Sequence, residues 1–238
     1  MTTFYFIRHG QAGSRDNYDT LSDLGRQQAR LVGEHLATQG SRFDAVYSGT
    51  MVRQLTTAQI ACDALSSSGA SVAEITVDGG WNELVLGEIY RYYAPRMMES
   101  DPEFASDIRE MQEAIRRDPH TTSGATGRCD RAVISAWVRR RYPDYEGESW
   151  ASFHRRIVAV GSGLTHHQPD HTIAIFTSAT PISVLAARSL ELPEDGILKF
   201  AGVLYNSGVT VMRSTGKTLR LFTFNAASHL TPALRTFR

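Results

Sequence analysis

The chain has 238 residues, of which 42% are hydrophobic and 21% charged, and its formal net charge at pH 7 is +0. This composition is typical of a globular protein, and the balanced charge argues against a nucleic-acid-binding protein. Lys199 and Lys217 are the only lysines, so almost all positive charge comes from arginine. Arginine suits phosphate and carboxylate ligands, but genomic base composition explains the bias equally well.

Two cysteines, Cys62 and Cys129, are too few for a disulfide framework and lack the spacing of metal ligands. The N-terminus does not resemble a signal peptide, and no apolar run approaches the ~20 residues of a membrane span. We therefore expect a cytoplasmic protein with no metal site and with neither a membrane nor a nucleic acid as partner. The oligomeric state stays open.

Strand-like apolar runs alternate with segments of helical periodicity, which predicts a three-layer α/β/α fold with a mostly parallel central sheet. The first strand is predicted at 4–7, and a helix follows that begins at the cap Ser22 and is closed by Gly40. The next predicted elements are a strand at 43–47, a helix over about 52–65 and a strand at 75–77.

The alternation stops over residues 91–146, which we interpret as a helical insertion in a single domain of residues 1–238. Helices are predicted there at 103–117 and 131–141. Beyond the insertion we predict a helix at 149–164, a buried strand at 172–177, a helix capped by Thr180 and running to 190, and a hairpin of strands at 204–212 and 219–224.

Polar residues follow three of the predicted strands, at positions 8–10, 48–53 and 178–180. Ligands of open α/β sheets bind beyond the carboxyl ends of the strands, so we expect these groups to converge. The helix N-termini at Thr50 and Thr180 present free N–H groups and are suited to an anion. A neutral His9 can attack phosphorus while the guanidinium groups hold its oxygens.

Several motifs occur in the order found in one known family. They are the strand into Arg-His-Gly at 7–10, the helix start with Leu21, Ser22, Gly25, Gln28 and Ala29, the Ser-x-x-x-x-Arg-x-x-x-Thr-Ala pattern of Ser48, Arg53, Thr57 and Ala58, the acidic segment 83–87, Gly-Glu-Ser at 147–149, and the tail residues Asn206, Asn225, His229 and Leu230. The chain resembles the histidine phosphatase superfamily, which includes the cofactor-dependent phosphoglycerate mutases. The resemblance covers everything outside the insertion.

This resemblance implies that His9 is the nucleophile, that Arg8 and Arg53 bind phosphate, and that Glu83 transfers protons. It also implies a small phosphorylated substrate or inorganic phosphate as partner, no cofactor, and an insertion that lies over the active site. Other interpretations are a hydrogen-bonded core histidine for His9, a solvated helix residue for Arg53, and a charge at a helix N-terminus for Glu83.

One position departs from the family pattern. The strand at 172–177 leads in the family into a second histidine, which donates a proton to the phosphate, and here Ser178 takes that place. A serine hydroxyl can hydrogen-bond a phosphoryl oxygen but carries no positive charge.

Two hypotheses follow from this departure. One is a phosphomonoester hydrolase with a phosphohistidine intermediate on His9 and low activity. The other is a catalytically impaired protein that binds phosphate or a phosphorylated metabolite. A mutase is disfavoured, because residues 11–13 do not resemble the extended motif of the mutases.

Overall fold

The computed structural model describes residues 1–237, apart from the side chains of residues 16 and 195. The strands are β1 (Thr2–Arg8), β2 (Ala45–Ser48), β3 (Ile75–Val77), β4 (Thr172–Thr177), β5 (Val209–Ser214) and β6 (Leu219–Ala226). The helices are α1 (Asp23–Thr38), α2 (Val52–Ser66), α3 (Leu86–Ser100), α4 (Pro102–Arg117), α5 (Gly124–Val138), α6 (Trp150–Gly163), α7 (Ala179–Ser189) and α8 (Glu194–Ala201).

The strands form one sheet in the order β3-β2-β4-β1-β5-β6. Strands β3, β2, β4 and β1 are parallel to one another, whereas β5 is antiparallel both to β1 and to β6. This mixed, mostly parallel sheet confirms the predicted α/β fold class.

Alternate residues of the central strands face opposite sides of the sheet. Ile7, Ala174 and Phe176 are buried in one hydrophobic cluster with α1 and α2. The side chain of Phe6 lies on the other face of the sheet and packs edge-on against Trp81, with 5.9 Å between the ring centroids. The apolar runs of β1 and β4 are therefore continuous because both faces are covered.

Some predicted boundaries are wrong. Helix α5 begins at Gly124, seven residues before the helix predicted at 131–141, and α3 and α8 are additional helices. Strand β5 begins at Val209, because Ser207 has a φ of 55°, which is incompatible with an extended strand. The predicted elements at 75–77, 149–164 and 172–177 match β3, α6 and β4 to within one residue at each end.

The chain divides into two compact units, one of residues 1–83 and 156–238 and one of residues 84–155. The first contains the sheet, and the second contains α3, α4 and α5, so the segment 91–146 lies within the second unit. The single domain, the insertion over the active site and the cytoplasmic location stay predictions. Among residues 1–237, no helix is both long and apolar enough to cross a membrane.

Candidate active site

The backbone of His9 is fixed at the end of β1 by neighbours on both sides. Its N–H donates to the carbonyl of Thr177 at 2.9 Å, and its carbonyl accepts from the N–H of Ser207 and from Nδ2 of Asn206, each at 3.2 Å. The next residue, Gly10, has to be a glycine, because a Cβ there would lie 2.2 Å from the carbonyl oxygen of Gly25. The chain thus turns sharply past α1 while His9 stays in place.

The imidazole of His9 is almost completely buried and has a defined tautomer. Its Nδ1 lies 2.7 Å from the carbonyl oxygen of Gly10, which can only accept, so the proton is on Nδ1. The lone pair is therefore on Nε2, to which Nε of Arg53 donates at 3.3 Å. Burial, and then the charges of Arg53 and Arg8, lower the pKa of His9 well below its usual value. The ring is neutral near pH 7.

Arg53, the second residue of α2, is held from three sides. Its Nη1 donates to Oδ1 of Asp19 at 2.8 Å, and the ring of Tyr18 lies under the guanidinium, 4.9 Å from Cζ to the ring centroid. Thr57 ties this turn to the first strand, since its hydroxyl donates to the carbonyl of Arg53 and accepts from the N–H of Gly10. Within residues 1–237, Nη2 of Arg53 makes no hydrogen bond. The structure thus brings Arg53 and His9 into contact and leaves the two N–H donors of Nη2 for a ligand.

Arg8 is a buried cation next to this pair. Its terminal nitrogens donate to the carbonyls of Leu204 and Phe237, while its buried Nε has no partner in residues 1–237. Burial lowers the pKa of Arg8. The charge of Arg53 lowers this pKa further, and the charge of Glu83 raises it. Both charges therefore lie within electrostatic range of Arg8.

Glu83 lies at the start of α7, where its Oε2 accepts from the N–H of Thr180 at 3.0 Å. The helix begins at Ala179, so its N-cap is Ser178, and the predicted cap Thr180 is wrong. The hydroxyl of Ser178 makes no capping bond and instead accepts from Nε2 of Gln54 at 2.7 Å. Ser178 is completely buried.

The predicted anion sites at two helix N-termini are filled by groups of the chain itself. At α2 the N–H groups of Val52 and Arg53 donate to the carboxylate of Asp19, and the N–H of Thr50 donates to Oδ1 of Asn82. At α7 the carboxylate of Glu83 takes the N–H of Thr180. The expectation that these N–H groups are free for an external anion is wrong, because unpaired helix N–H groups attract any nearby carboxylate.

Sequence reasoning missed Asp19 and Gln54. Asp19 comes from a loop without a motif, whereas Gln54 is adjacent to the singled-out Arg53 but is a residue type common on helix surfaces. His167 and His171 lie before β4, at the opposite end of that strand from Ser178. In the part of the chain that the structure describes, no group of three or more metal-ligating side chains could hold a metal ion.

The sequence matches the model of the histidine phosphatase superfamily (branch 1) over residues 4–134 and 125–227. The chain belongs to the histidine phosphatase superfamily. Its fold agrees with this assignment. It is similar to Bacillus stearothermophilus YhfR, with a TM-score of 0.65, 20% identity, and coverage of 96% of this chain and 99% of that one. A phosphoserine phosphatase from Entamoeba histolytica in complex with phosphoserine has a TM-score of 0.61 and 22% identity, with 97% and 100% of the two chains covered.

Curated members of the superfamily match only part of this chain. A mitochondrial serine/threonine-protein phosphatase Pgam5 of Caenorhabditis elegans is 29% identical over 119 residues, which are 50% of this chain and 40% of that protein. A 2,3-bisphosphoglycerate-dependent phosphoglycerate mutase of Sinorhizobium fredii is 32% identical over 96 residues, or 37% of this chain and 43% of the mutase. The matches therefore span less than half of these relatives' lengths.

Proposed function

We propose that this histidine phosphatase superfamily member is a phosphomonoester hydrolase that forms a phosphohistidine on His9. The observation that carries the proposal is the buried, neutral imidazole whose Nε2 lone pair lies 3.3 Å from Nε of Arg53. A nucleophile needs an unprotonated lone pair, and a phosphoryl group needs cationic donors beside it. Both requirements meet at this atom.

In the first step, Nε2 of His9 attacks phosphorus, the N–P bond forms, and the P–O bond to the alcohol breaks. Nε–H of Arg53 turns from Nε2 to a phosphoryl oxygen, and the Nη2 donors of Arg53 take another. Arg8 supplies a fixed positive charge close by, and the hydroxyl of Ser178 donates to a phosphoryl oxygen. Glu83 in its acid form protonates the leaving oxygen.

In the second step, the carboxylate of Glu83 takes a proton from water, whose oxygen attacks phosphorus. The N–P bond breaks, so that inorganic phosphate leaves and His9 is regenerated with Glu83 protonated. The proposed reaction uses neither a metal ion nor an organic cofactor, and its partner is a small phosphorylated molecule.

A second candidate function is binding of phosphate or a phosphorylated metabolite without turnover. The neutral Ser178 at the end of β4 favours it, because loss of one preorganised donor costs about 2.7 to 4 kcal/mol of transition-state stabilisation. That cost is a factor of about 100 to 1,000 in rate. The ground-state binding of phosphate by Arg8 and Arg53 does not depend on it.

Turnover of p-nitrophenyl phosphate and of a panel that includes phosphoserine and 3-phosphoglycerate separates the two candidates. His9→Ala is expected to lower turnover by about 10⁴-fold or more, as removal of a nucleophile does. Exposed His166, at the far end of β4, provides the control His166→Ala, which should retain activity. Turnover that survives His9→Ala contradicts the hydrolase, and thermal stabilisation by inorganic phosphate without turnover supports the binding protein.

A further inference from the structure

We infer that Gln54 is a positioning residue that holds the oxygen of the Ser178 hydroxyl and so directs the hydroxyl proton to the phosphoryl group. The inference rests on the proposed function and assigns to it a residue that the motifs do not include. Gln54 and Ser178 together form a neutral donor pair at the end of β4, where the family pattern has a single imidazole.

The orientation of the Gln54 amide is decided by a carbonyl group. Nε2 of Gln54 lies 3.2 Å from the carbonyl oxygen of Trp81 and 2.7 Å from Oγ of Ser178. A backbone carbonyl can only accept, so the NH₂ end of the amide must face both atoms. Oγ of Ser178 is therefore the acceptor from Gln54, and its own proton must point elsewhere.

Two neighbours release Ser178 from the usual duty of an N-cap residue. An N-cap hydroxyl bonds the N–H of the second or third helical residue, which in α7 are Thr180 and Pro181. Pro181 has no N–H, and Glu83 accepts the N–H of Thr180. Among residues 1–237 no group accepts the Ser178 hydroxyl proton. This donor is available to a ligand.

Ser178 and His9 stand side by side at the same end of the sheet. Arg8 pairs with Thr177 in the parallel register of β1 and β4. His9 and Ser178 are the residues that follow these two strands. Neighbouring strands lie about 5 Å apart, so a phosphoryl group at His9 is within range of the Ser178 hydroxyl. Arg53 and Gln54, successive residues of α2, thus contact the ends of two adjacent strands.

The surroundings of Gln54 indicate that its place is specified rather than filled by chance. Its Oε1 is buried and has no partner in residues 1–237, which is an unfavourable state that a purely packing side chain would avoid. A Cβ at Gly49 would lie 1.9 Å from this oxygen. The glycine therefore keeps open the space that the amide needs.

A double-mutant cycle tests the inference. Gln54→Met removes the amide at nearly constant volume, and Ser178→Ala removes the hydroxyl. If Gln54 acts through Ser178, each single variant lowers kcat/KM for p-nitrophenyl phosphate about ten- to hundredfold, and the double variant is no worse than Ser178→Ala. A structural role of Gln54 instead gives losses that multiply. The control is Ser183→Ala, which removes another buried hydroxyl of α7, one that bonds only the carbonyl of Ala179.

Gln54→Glu is the second variant and covers the case that Gln54→Met does not fold. Its carboxylate has the same shape but can only accept, so it reverses the bond and takes the Ser178 proton away from the site. We expect a loss of kcat/KM at least as large as that of Ser178→Ala. Activity close to that of the wild type in folded Gln54→Glu overturns the inference.

The failure of the inference and the failure of the proposed function can be distinguished. If His9-dependent turnover is present but the losses multiply, only the inference falls. If turnover is absent, the hydrolase falls, and the same cycle is measured on the dissociation constant of inorganic phosphate by calorimetry. Non-additive weakening of phosphate binding then supports the role of Gln54, whereas additive weakening or no phosphate binding overturns it.

Discussion

The ends of β1 and β4 are adjacent in the sheet but differ in chemistry. Strand β1 ends in Arg8, a buried cation, and is followed by His9, a neutral imidazole with a defined lone pair. Strand β4 is followed by Ser178, whose hydroxyl is held by the amide of Gln54. Charge is thus concentrated on the β1 side, whereas on the β4 side the named groups are the neutral Ser178 and Gln54 and the carboxyl of Glu83.

This difference separates two requirements of phosphoryl transfer. Attack needs a nucleophile and a cationic donor, the roles that the proposed function gives to His9 and Arg53, which contact each other. Stabilisation of charge on the opposite side of the phosphoryl group needs a further donor, and a neutral hydroxyl performs this task less well than an imidazolium. We therefore expect the attacking half of the site to be complete and the other half to limit the rate.

The largest predicted effect comes from restoring a histidine at the end of β4. Ser178→His alone is expected to fail, because Oγ of Ser178 already contacts Gln54 and both residues are completely buried, so a ring has no room. Ser178→His combined with Gln54→Ala frees that room. We predict that kcat/KM for p-nitrophenyl phosphate rises about a hundredfold above the wild type.

Two comparisons make this prediction sharp. The double variant Ser178→His/Ala179→Gly makes space on the other side of the new ring. Because Ser178 contacts Gln54, we expect this variant to be less active than Ser178→His/Gln54→Ala. A folded Ser178→His/Gln54→Ala variant whose activity is no higher than that of the wild type would mean that the end of β4 does not face the reacting group.

A medium effect is predicted on the β1 side, where Asp19 orients the guanidinium of Arg53. Asp19→Asn keeps the shape but removes the charge that holds Nη1 at 2.8 Å. We expect kcat/KM to fall about tenfold, since a hydrogen bond between charged groups contributes about 1.5–3 kcal/mol. Steady-state kinetics measure this. Asp23→Asn, an exposed acid in the first turn of α1, is the matched control. Faster turnover in Asp19→Asn would show that Asp19 competes with the phosphate instead.

The same contrast explains what could be predicted from the sequence. The central strands, and the position of His9 just after one of them, could be predicted because a continuous apolar run that ends in a polar group has one simple interpretation in an α/β sheet. The role of Asp19 could not, since it depends on a loop that reaches a helix 33 residues further along the chain, to the N–H of Val52. Gln54 was missed because its burial is a property of the folded site and leaves no periodic signal.

The prediction that failed at both places where it was made is that of free N–H groups at helix N-termini. The sequence shows where unpaired N–H groups will be, at Thr50 and Thr180, but not whether the chain brings its own carboxylate to them. Asp19 and Glu83 do so from distant positions. The anion-binding prediction therefore named N–H groups that the chain itself occupies, and in the proposed function the guanidinium of Arg53 takes their place as donor to phosphate.

The last predicted effect is on stability and is small near pH 7: it concerns the neutral state of His9, for which a second histidine, His229, serves as a reference. Burial, and then the charge of His35, lowers the pKa of His229 to about 4. In the unfolded chain a histidine titrates near pH 6.5. Between these values the unfolded state binds more protons than the folded state, so the free energy of unfolding falls as the pH falls from about 6.5 towards 4.

His9 contributes with the same sign, because its pKa is also lowered in the folded protein. Urea unfolding at pH 7 and pH 5 should show a loss of stability in the wild type that is smaller, by about 2 kcal/mol, in His229→Gln. His9→Asn should also reduce the loss, and the exposed His166→Gln is the control. An unchanged pH dependence in His9→Asn would mean that His9 is not kept neutral by the fold, and the end of β1 would then lack its nucleophile.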